Sequence, residues 1–133
     1  MIISNNSTPI KNRVGAVFVP VRNLEKAIEW YRKIFGLVGG EEHFGHLFVA
    51  PMEGTAGLIL DAMPMWRKED GDIATYQVPS IQFVTDDIQA SYQFMKDNHV
   101  ELLTEIQDDF YFVFKDLEGN VLMVCKSVGA SEG

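Results

Sequence analysis

The chain repeats one pattern of residues at an offset of 64 positions, and this repeat is the strongest constraint on its fold. Two residues suited to cap a helix, Asn23 and Asp87, lie 64 positions apart, and apolar residues at helical spacing follow each of them. The equivalent helix positions are Leu24 and Ile88, Ala27 and Ser91, Ile28 and Tyr92, and Trp30 and Phe94. Two copies are fewer than a solenoid requires, so the repeat predicts a pair of modules that bury their incomplete sheets against each other.

The first copy contains a strand, a helix and further short strands. An apolar strand is predicted over Val14 to Val21, and a helix follows from the Asn23 cap to a C-terminal stop at Gly36. Short strand-like runs at Leu47 to Ala50 and Gly57 to Ala62 are separated by a turn-rich segment. This order predicts a βαβββ module.

The second copy repeats that order after a polar connection. Residues Met63 to Asp72 contain a proline, a glycine and five charges, which predicts a surface segment. A strand at Ile81 to Thr85, a helix that ends near Asn98, and strands at Phe110 to Lys115 and Asn120 to Lys126 follow. The pattern predicts one α+β domain over residues 1–133, with module one at about 12–63, the connection at about 64–78 and module two at about 79–128.

The balance of charges argues against nucleic acid as a partner. Eleven Lys and Arg against nineteen Asp and Glu give a formal net charge of −8, which repels phosphate backbones and anionic lipid surfaces. No stretch of apolar residues is long enough to predict a membrane span. The single Cys125 cannot form an intrachain disulfide, and Met1 to Pro9 has neither the basic nor the apolar region of a signal peptide. We therefore expect a cytoplasmic protein.

Two segments give the chain a resemblance to a known family. The first joins Val21-Arg22-Asn23-Leu24 to the helix end at residues 30–37, and the second runs from Phe114 to Leu122 through Asp116-Leu117-Glu118-Gly119-Asn120. Together they resemble the vicinal-oxygen-chelate superfamily, which includes glyoxalase I, extradiol dioxygenases and bleomycin-resistance proteins. The resemblance implies two βαβββ modules whose strands form an open, curled mixed sheet around a central cavity, commonly in a homodimer.

Enzymes of that superfamily usually hold a divalent metal through His and Glu side chains at four positions. The equivalent positions in this chain carry Ala16, Ile59, Ser80 and Met123. None of these is a good ligand, and together they provide neither the negative charge nor the imidazole that offsets dehydration of the ion. We therefore expect no metal cofactor and assign no catalytic residue.

Two other chemistries stay open. A metal site drawn from His43, His46, Glu53 and Asp61 would require a turn between the two histidines, which Gly45 permits. A metal-free enzyme would use Tyr111 or Cys125 as acid or base, although the sequence predicts no carboxylate or imidazole beside either of them.

Strand alternation predicts which residues face the cavity. Trp66 is a further candidate for ligand binding, because a large aromatic side chain in a polar connection needs a dimer partner or a ligand to cover it. The candidate ligand-binding residues are Ala16, Phe18, Ile59, Trp66, Ser80, Gln82, Tyr111, Val113, Met123 and Cys125. This mainly apolar set with a few polar groups is typical of a pocket for a small molecule, and we expect that molecule to be aromatic or, given the net charge, cationic. The alternative is that these side chains simply fill the barrel.

These observations predict a metal-independent small-molecule-binding protein of the superfamily, with the ligand held in the barrel cavity of a homodimer. The alternative function is a metal-dependent lyase or dioxygenase, similar to glyoxalase I, that uses non-standard ligands.

Overall fold

The computed structural model describes residues 8–127 and contains the two predicted βαβββ modules. Two parts of the predictions lie outside the described residues. They are residues 1–7 of the segment Met1 to Pro9, which lacks the features of a signal peptide, and residue 128, the predicted end of module two. The first module contains β1 (Ala16–Pro20), α1 (Leu24–Phe35), β2 (Glu41–His43), β3 (Leu47–Ala50) and β4 (Gly57–Asp61). The second contains β5 (Gln82–Thr85), α2 (Ile88–Asp97), β6 (Glu101–Leu102), β7 (Tyr111–Lys115) and β8 (Val121–Lys126). A single 3₁₀ turn, Pro64–Trp66, lies in the connection.

The repeat extends to the pairing of the strands. The sheets have the orders β1-β4-β3-β2 and β5-β8-β7-β6, with a parallel first pair in each. Phe18 lies opposite Ile59 on β4, and 64 positions later Gln82 lies opposite Met123 on β8. The antiparallel pairs β3–β4 and β7–β8 obey the same rule, whereas β6 pairs with β7 in a different register from that of β2 with β3. The repeat therefore fixes the hydrogen-bond register of the first three strands in each sheet order and not that of the last strands, β2 and β6.

The two helices begin in the same way and end differently. Asn23 accepts a hydrogen bond from the backbone N–H of Lys26 at 3.1 Å, and Asp87 accepts one from that of Ala90 at 3.0 Å. Helix α1 spans 12 residues, whereas α2 spans 10. Within residues 8–127, neither helix is long and apolar enough to cross a membrane.

One continuous core joins the modules. Helix α1 buries Leu24, Ala27, Ile28, Tyr31 and Ile34, and these side chains form one cluster with apolar residues of both sheets. Phe48 and Phe112, which are repeat equivalents, are both completely buried in this cluster. The core therefore fills the space between the helices and the sheet faces that they cover.

The α+β class is confirmed, but the strands do not form one curled sheet. Each module keeps its own four-stranded mixed sheet, and the two sheets are open. The Tyr76 hydroxyl donates to the carbonyl oxygen of Phe18, and Pro20 has no N–H to offer. Part of the edge of β1 is therefore closed to a further strand.

Candidate functional site

Each sheet has one face covered by its helix and one face without a helix, which we call the helix-free face. Leu58 and Leu60 on β4, and Leu122 and Val124 on β8, are buried on the covered faces. The alternate residues of the same strands lie on the helix-free faces. Strand pairing places eight of the predicted ligand-binding residues there: Ala16, Phe18 and Ile59 in module one, and Gln82, Tyr111, Val113, Met123 and Cys125 in module two.

The helix-free faces are apolar and only partly covered. The side chain of Phe18 is 47% exposed and that of Val84 is 69% exposed. Gln82 is also exposed, and its amide nitrogen lies 3.7 Å from the sulfur of Met123. Exposed aromatic and branched side chains on a sheet face favour contact with a ligand or with another protein surface.

Tyr111 and Cys125, the two candidates for acid–base chemistry, lie opposite each other on β7 and β8. Cys125 is buried, and burial raises the pKa of its thiol, so the thiol stays protonated at neutral pH. Within residues 8–127, no His, Asp or Glu side chain is hydrogen-bonded to either residue. The arrangement lacks the geometry of general acid–base catalysis.

The remaining two predicted residues lie apart from the strands. Ser80 precedes β5, is exposed, and donates its hydroxyl to the carbonyl oxygen of Val78 at 2.9 Å. Trp66 lies in the connection with 53% of its surface exposed, and its indole N–H donates to Asp61 at 2.8 Å. This hydrogen bond holds the Trp66 ring beside the end of β4. The sequence pattern did not predict this position of the ring.

The four positions equivalent to the superfamily's metal ligands do not fit a divalent ion. Ala16, Ile59 and Met123 have no oxygen or nitrogen donor in their side chains, and Ser80 offers only a neutral hydroxyl, which donates to the carbonyl oxygen of Val78. A divalent metal in a protein needs several carboxylate, imidazole or thiolate ligands to offset dehydration. We derive no metal chemistry from these positions.

The alternative set of metal ligands is not brought together either. His43 and His46 flank a tight turn between β2 and β3; the first contacts Glu41 at 3.2 Å, and the second contacts a backbone carbonyl oxygen at 3.0 Å. Asp61 accepts hydrogen bonds from Trp66 and from a backbone N–H. Across residues 8–127, no three His, Cys, Asp or Glu residues form a group that could hold a metal ion.

A buried set of hydrogen bonds joins the modules on one side. The Tyr31 hydroxyl of α1 donates to Asp116, in the turn between β7 and β8, at 2.6 Å. The side-chain amide of Asn120 donates to the carbonyl oxygen of Pro20 at 2.8 Å and to Asp116 at 3.0 Å. We call this contact of Tyr31, Asp116, Asn120 and Pro20 the polar junction. Because it is buried, it fixes the β7–β8 turn against the first module.

A partly exposed ion-pair network extends the polar junction to solvent. Arg22 lies 2.5 Å from Asp72 and 2.9 Å from Glu118. The hydrogen bond from Arg22 is the largest cause of the low pKa of Asp72, which falls to about 2. Glu118 also accepts from the backbone N–H of Asn23 at 3.1 Å. Arg22, just before α1, therefore binds both the connection and the β7–β8 turn.

Because the polar junction needs a protonated Tyr31, we expect the free energy of unfolding to fall at alkaline pH. Burial, and then the charge of Asp116, raise the pKa of Tyr31 well above its ordinary value. The protonated Tyr31 hydroxyl therefore contributes to the free energy of unfolding. This contribution is complete below the tyrosine pKa of the unfolded chain, about 10, and is lost as the pH rises from there toward the pKa of Tyr31 in the folded protein. We expect the unfolding free energy of the wild type, measured by urea titration, to fall more steeply between pH 9 and 11 than that of Tyr31→Phe, by about 1 kcal/mol per pH unit. Parallel pH profiles would contradict this assignment.

A cavity of about 670 Å³ lies between the modules, on the side that contains the helices. We call it the inter-module cavity. Its walls are the C-terminal end of α1, the segment 51–53, strand β5 and one face of α2. None of the ten predicted ligand-binding residues lines it. The sequence analysis missed it because the cavity depends on how the modules meet.

The fold and the helix-free faces define a protein built from paired βαβββ modules with an open apolar surface. The chain belongs to the Glyoxalase/Bleomycin resistance protein/Dioxygenase superfamily, whose model matches residues 13–124. This confirms the resemblance drawn from the sequence. No curated protein matches the chain significantly in sequence.

Several solved structures share the fold at low sequence identity. TnmS3, an antibiotic-binding protein from Streptomyces sp. CB03234, is 21% identical with a TM-score of 0.68, over 91% of this chain and 99% of its own. UcmS2 is 18% identical with a TM-score of 0.71, over 89% and 100% of the two chains. Lactoylglutathione lyase from Agrobacterium tumefaciens is 16% identical with a TM-score of 0.68, over 90% and 96%. At these identities the similarity concerns the fold alone.

Proposed function

We propose that this chain is a metal-independent small-molecule-binding protein that holds its ligand against the helix-free faces, in the cavity of a homodimer. The observation that carries the proposal is the chemistry of those faces. They expose apolar and aromatic surface, and the positions that could coordinate a metal carry Ala16, Ile59, Ser80 and Met123. An apolar surface with a few polar groups and no set of metal ligands suits binding better than metal catalysis.

The proposed ligand is a small molecule with an aromatic or cationic part. Phe18 and Tyr111 offer aromatic surface on the helix-free faces, and Trp66 offers a ring held by Asp61. The net charge of −8 favours a cation over an anion and disfavours nucleic acid. The likeness to TnmS3, an antibiotic-binding protein, supports a small organic molecule as the ligand.

A second copy of the chain is the proposed cover for the faces. Phe18 and Val84, exposed on the two sheets, are the kind of side chains that a symmetric dimer buries. In this proposal the chain acts as one domain over residues 1–133, with modules at about 12–63 and 79–128, and it works in the cytoplasm.

Native mass spectrometry of freshly purified, untagged protein tests the proposal. We expect the mass of a dimer with a retained organic compound, and elemental analysis after dialysis should find no stoichiometric metal. Phe18→Asp should lose both the dimer and the compound, because it places a charge on the proposed apolar contact. Phe44→Asp, at a side chain that is 85% exposed on the β2–β3 turn, is the matched control.

Two results would reject the proposal. Stoichiometric Fe, Ni, Mn or Zn would favour the alternative, a metal-dependent lyase or dioxygenase with non-standard ligands such as His43, His46, Glu53 and Asp61. A monomeric mass for the wild type would remove the dimer cavity.

A further inference from the structure

The two places where the modules meet are equivalent by the repeat but differ in their residues. The polar junction uses Asp116 and Asn120 of the β7–β8 turn against Tyr31 and Pro20 of module one. Subtracting or adding 64 gives the residues of the other meeting place. They are Met52 for Asp116, Ala56 for Asn120, Met95 for Tyr31 and Val84 for Pro20.

None of the hydrogen-bonding side chains of the polar junction is present in the second meeting place. Methionine and alanine side chains cannot reproduce the bond from a hydroxyl to a carboxylate or the bond from an amide to a carbonyl. The ion pair is absent there too, since Asp86 and Gly54 replace Arg22 and Glu118. Within residues 8–127, no side-chain hydrogen bond joins the β3–β4 turn to α2.

The second meeting place is open and forms the inter-module cavity. Met52, Val84 and Met95, three of the four repeat equivalents, line it. The side chain of Met95 is buried in the core, whereas Met52 is half-buried at the wall. The repeat therefore explains the cavity as the counterpart of the polar junction.

The lining of this cavity combines an apolar floor with an acidic rim. Phe83 and Val124 lie on the covered face of the second sheet, and the ring of Phe83 lies 4.4 Å from that of Phe35 at the end of α1. Phe94 of α2 is partly exposed at the wall. The carboxylates are those of Glu53 and Asp87, and no Lys, Arg or His from residues 8–127 is part of the lining.

We propose that the inter-module cavity is a second ligand site, which shares only Val84 with the residues named on the helix-free faces, for a small organic cation with a flat apolar body. Its volume of about 670 Å³ lies within the range of small-molecule pockets. Phe83 and Phe94 contribute aromatic surface to the lining, which such a body and its charge can contact. Glu53 and Asp87, in a chain of net charge −8, select a cation over an anion.

Fluorescence titration with berberine tests this site. Berberine is a planar quaternary ammonium whose emission rises in apolar surroundings, and 8-anilinonaphthalene-1-sulfonate serves as the anionic comparison. The wild type should bind berberine saturably and more tightly than the sulfonate. Ala90→Phe places a ring in the cavity from an exposed helix position and should weaken berberine binding about ten-fold or more. Gln93→Phe, exposed on α2 outside the lining, should bind as the wild type does.

A separate pair of variants tests whether the inter-module cavity prefers a cation. Glu53→Gln should weaken berberine binding about two- to five-fold, whereas Glu69→Gln in the connection should leave it unchanged. Thermal unfolding of each variant confirms that it is folded.

Three outcomes would overturn the second site. They are unsaturable binding by the wild type, unchanged affinity in Ala90→Phe, and equal or tighter binding of the sulfonate. Phe18→Asp separates the two proposals: loss of berberine binding in that variant but not in Ala90→Phe would place the dye on the helix-free faces instead.

Discussion

Replacing Asp116 with alanine is expected to lower the free energy of unfolding by about 3 to 5 kcal/mol. The carboxylate is only 5% exposed and accepts four hydrogen bonds. The donors are the Tyr31 hydroxyl at 2.6 Å, the Glu118 backbone N–H at 2.8 Å, the Asn120 backbone N–H at 2.9 Å and the Asn120 side-chain amide at 3.0 Å. Removing the acceptor leaves these donors without a partner in a buried place, which costs more than the bonds themselves contributed.

Urea unfolding at pH 7 measures this loss. Asp86→Ala, at an exposed carboxylate 30 positions earlier, is the control and should change stability by less than about 0.5 kcal/mol. A loss below about 1 kcal/mol for Asp116→Ala would mean that the polar junction does not hold the modules together. In the Asp116→Ala background, the charge that helps to raise the pKa of Tyr31 is also gone, so the alkaline loss of stability should begin near the same pH and be smaller than in the wild type.

Truncating either repeat-equivalent phenylalanine is expected to be equally costly. Phe48→Ala and Phe112→Ala should each lower the free energy of unfolding by about 3 to 5 kcal/mol, because each empties a large volume in a packed core. Both rings are completely buried, and the strand register places Phe48 opposite Leu60 and Phe112 opposite Val124. The repeat therefore predicts similar losses in the two modules.

Denaturant unfolding with a matched truncation tests this prediction. Phe44→Ala removes the same ring from the exposed β2–β3 turn and should cost less than about 0.5 kcal/mol. A loss below about 1.5 kcal/mol at Phe48 or Phe112 would show that this position collapses without leaving a cavity, and that the two halves of the core are not equivalent.

Much of the proposed site on the helix-free faces followed from the sequence. The alternation of strand residues placed Phe18, Ile59, Gln82 and Met123 on one side of their strands, and the pairing of β1 with β4 and of β5 with β8 agrees. Such an inference succeeds because side chains alternate with a period of two in any strand. The anchoring of Trp66 by Asp61 did not follow, since it depends on how the connection bends back to the end of β4.

The sequence by itself determined the repeated βαβββ order, the caps at Asn23 and Asp87, and the equivalent registers of β1, β4 and β3 and of β5, β8 and β7. These features depend on local spacing and on strand periodicity, which are written along the chain. Only the tertiary structure decided that the sheets stay separate, that one meeting place of the modules closes, and that the other stays open as a cavity. Those outcomes depend on contacts between residues far apart in the chain, such as Tyr31 with Asp116, whose partners no local pattern identifies.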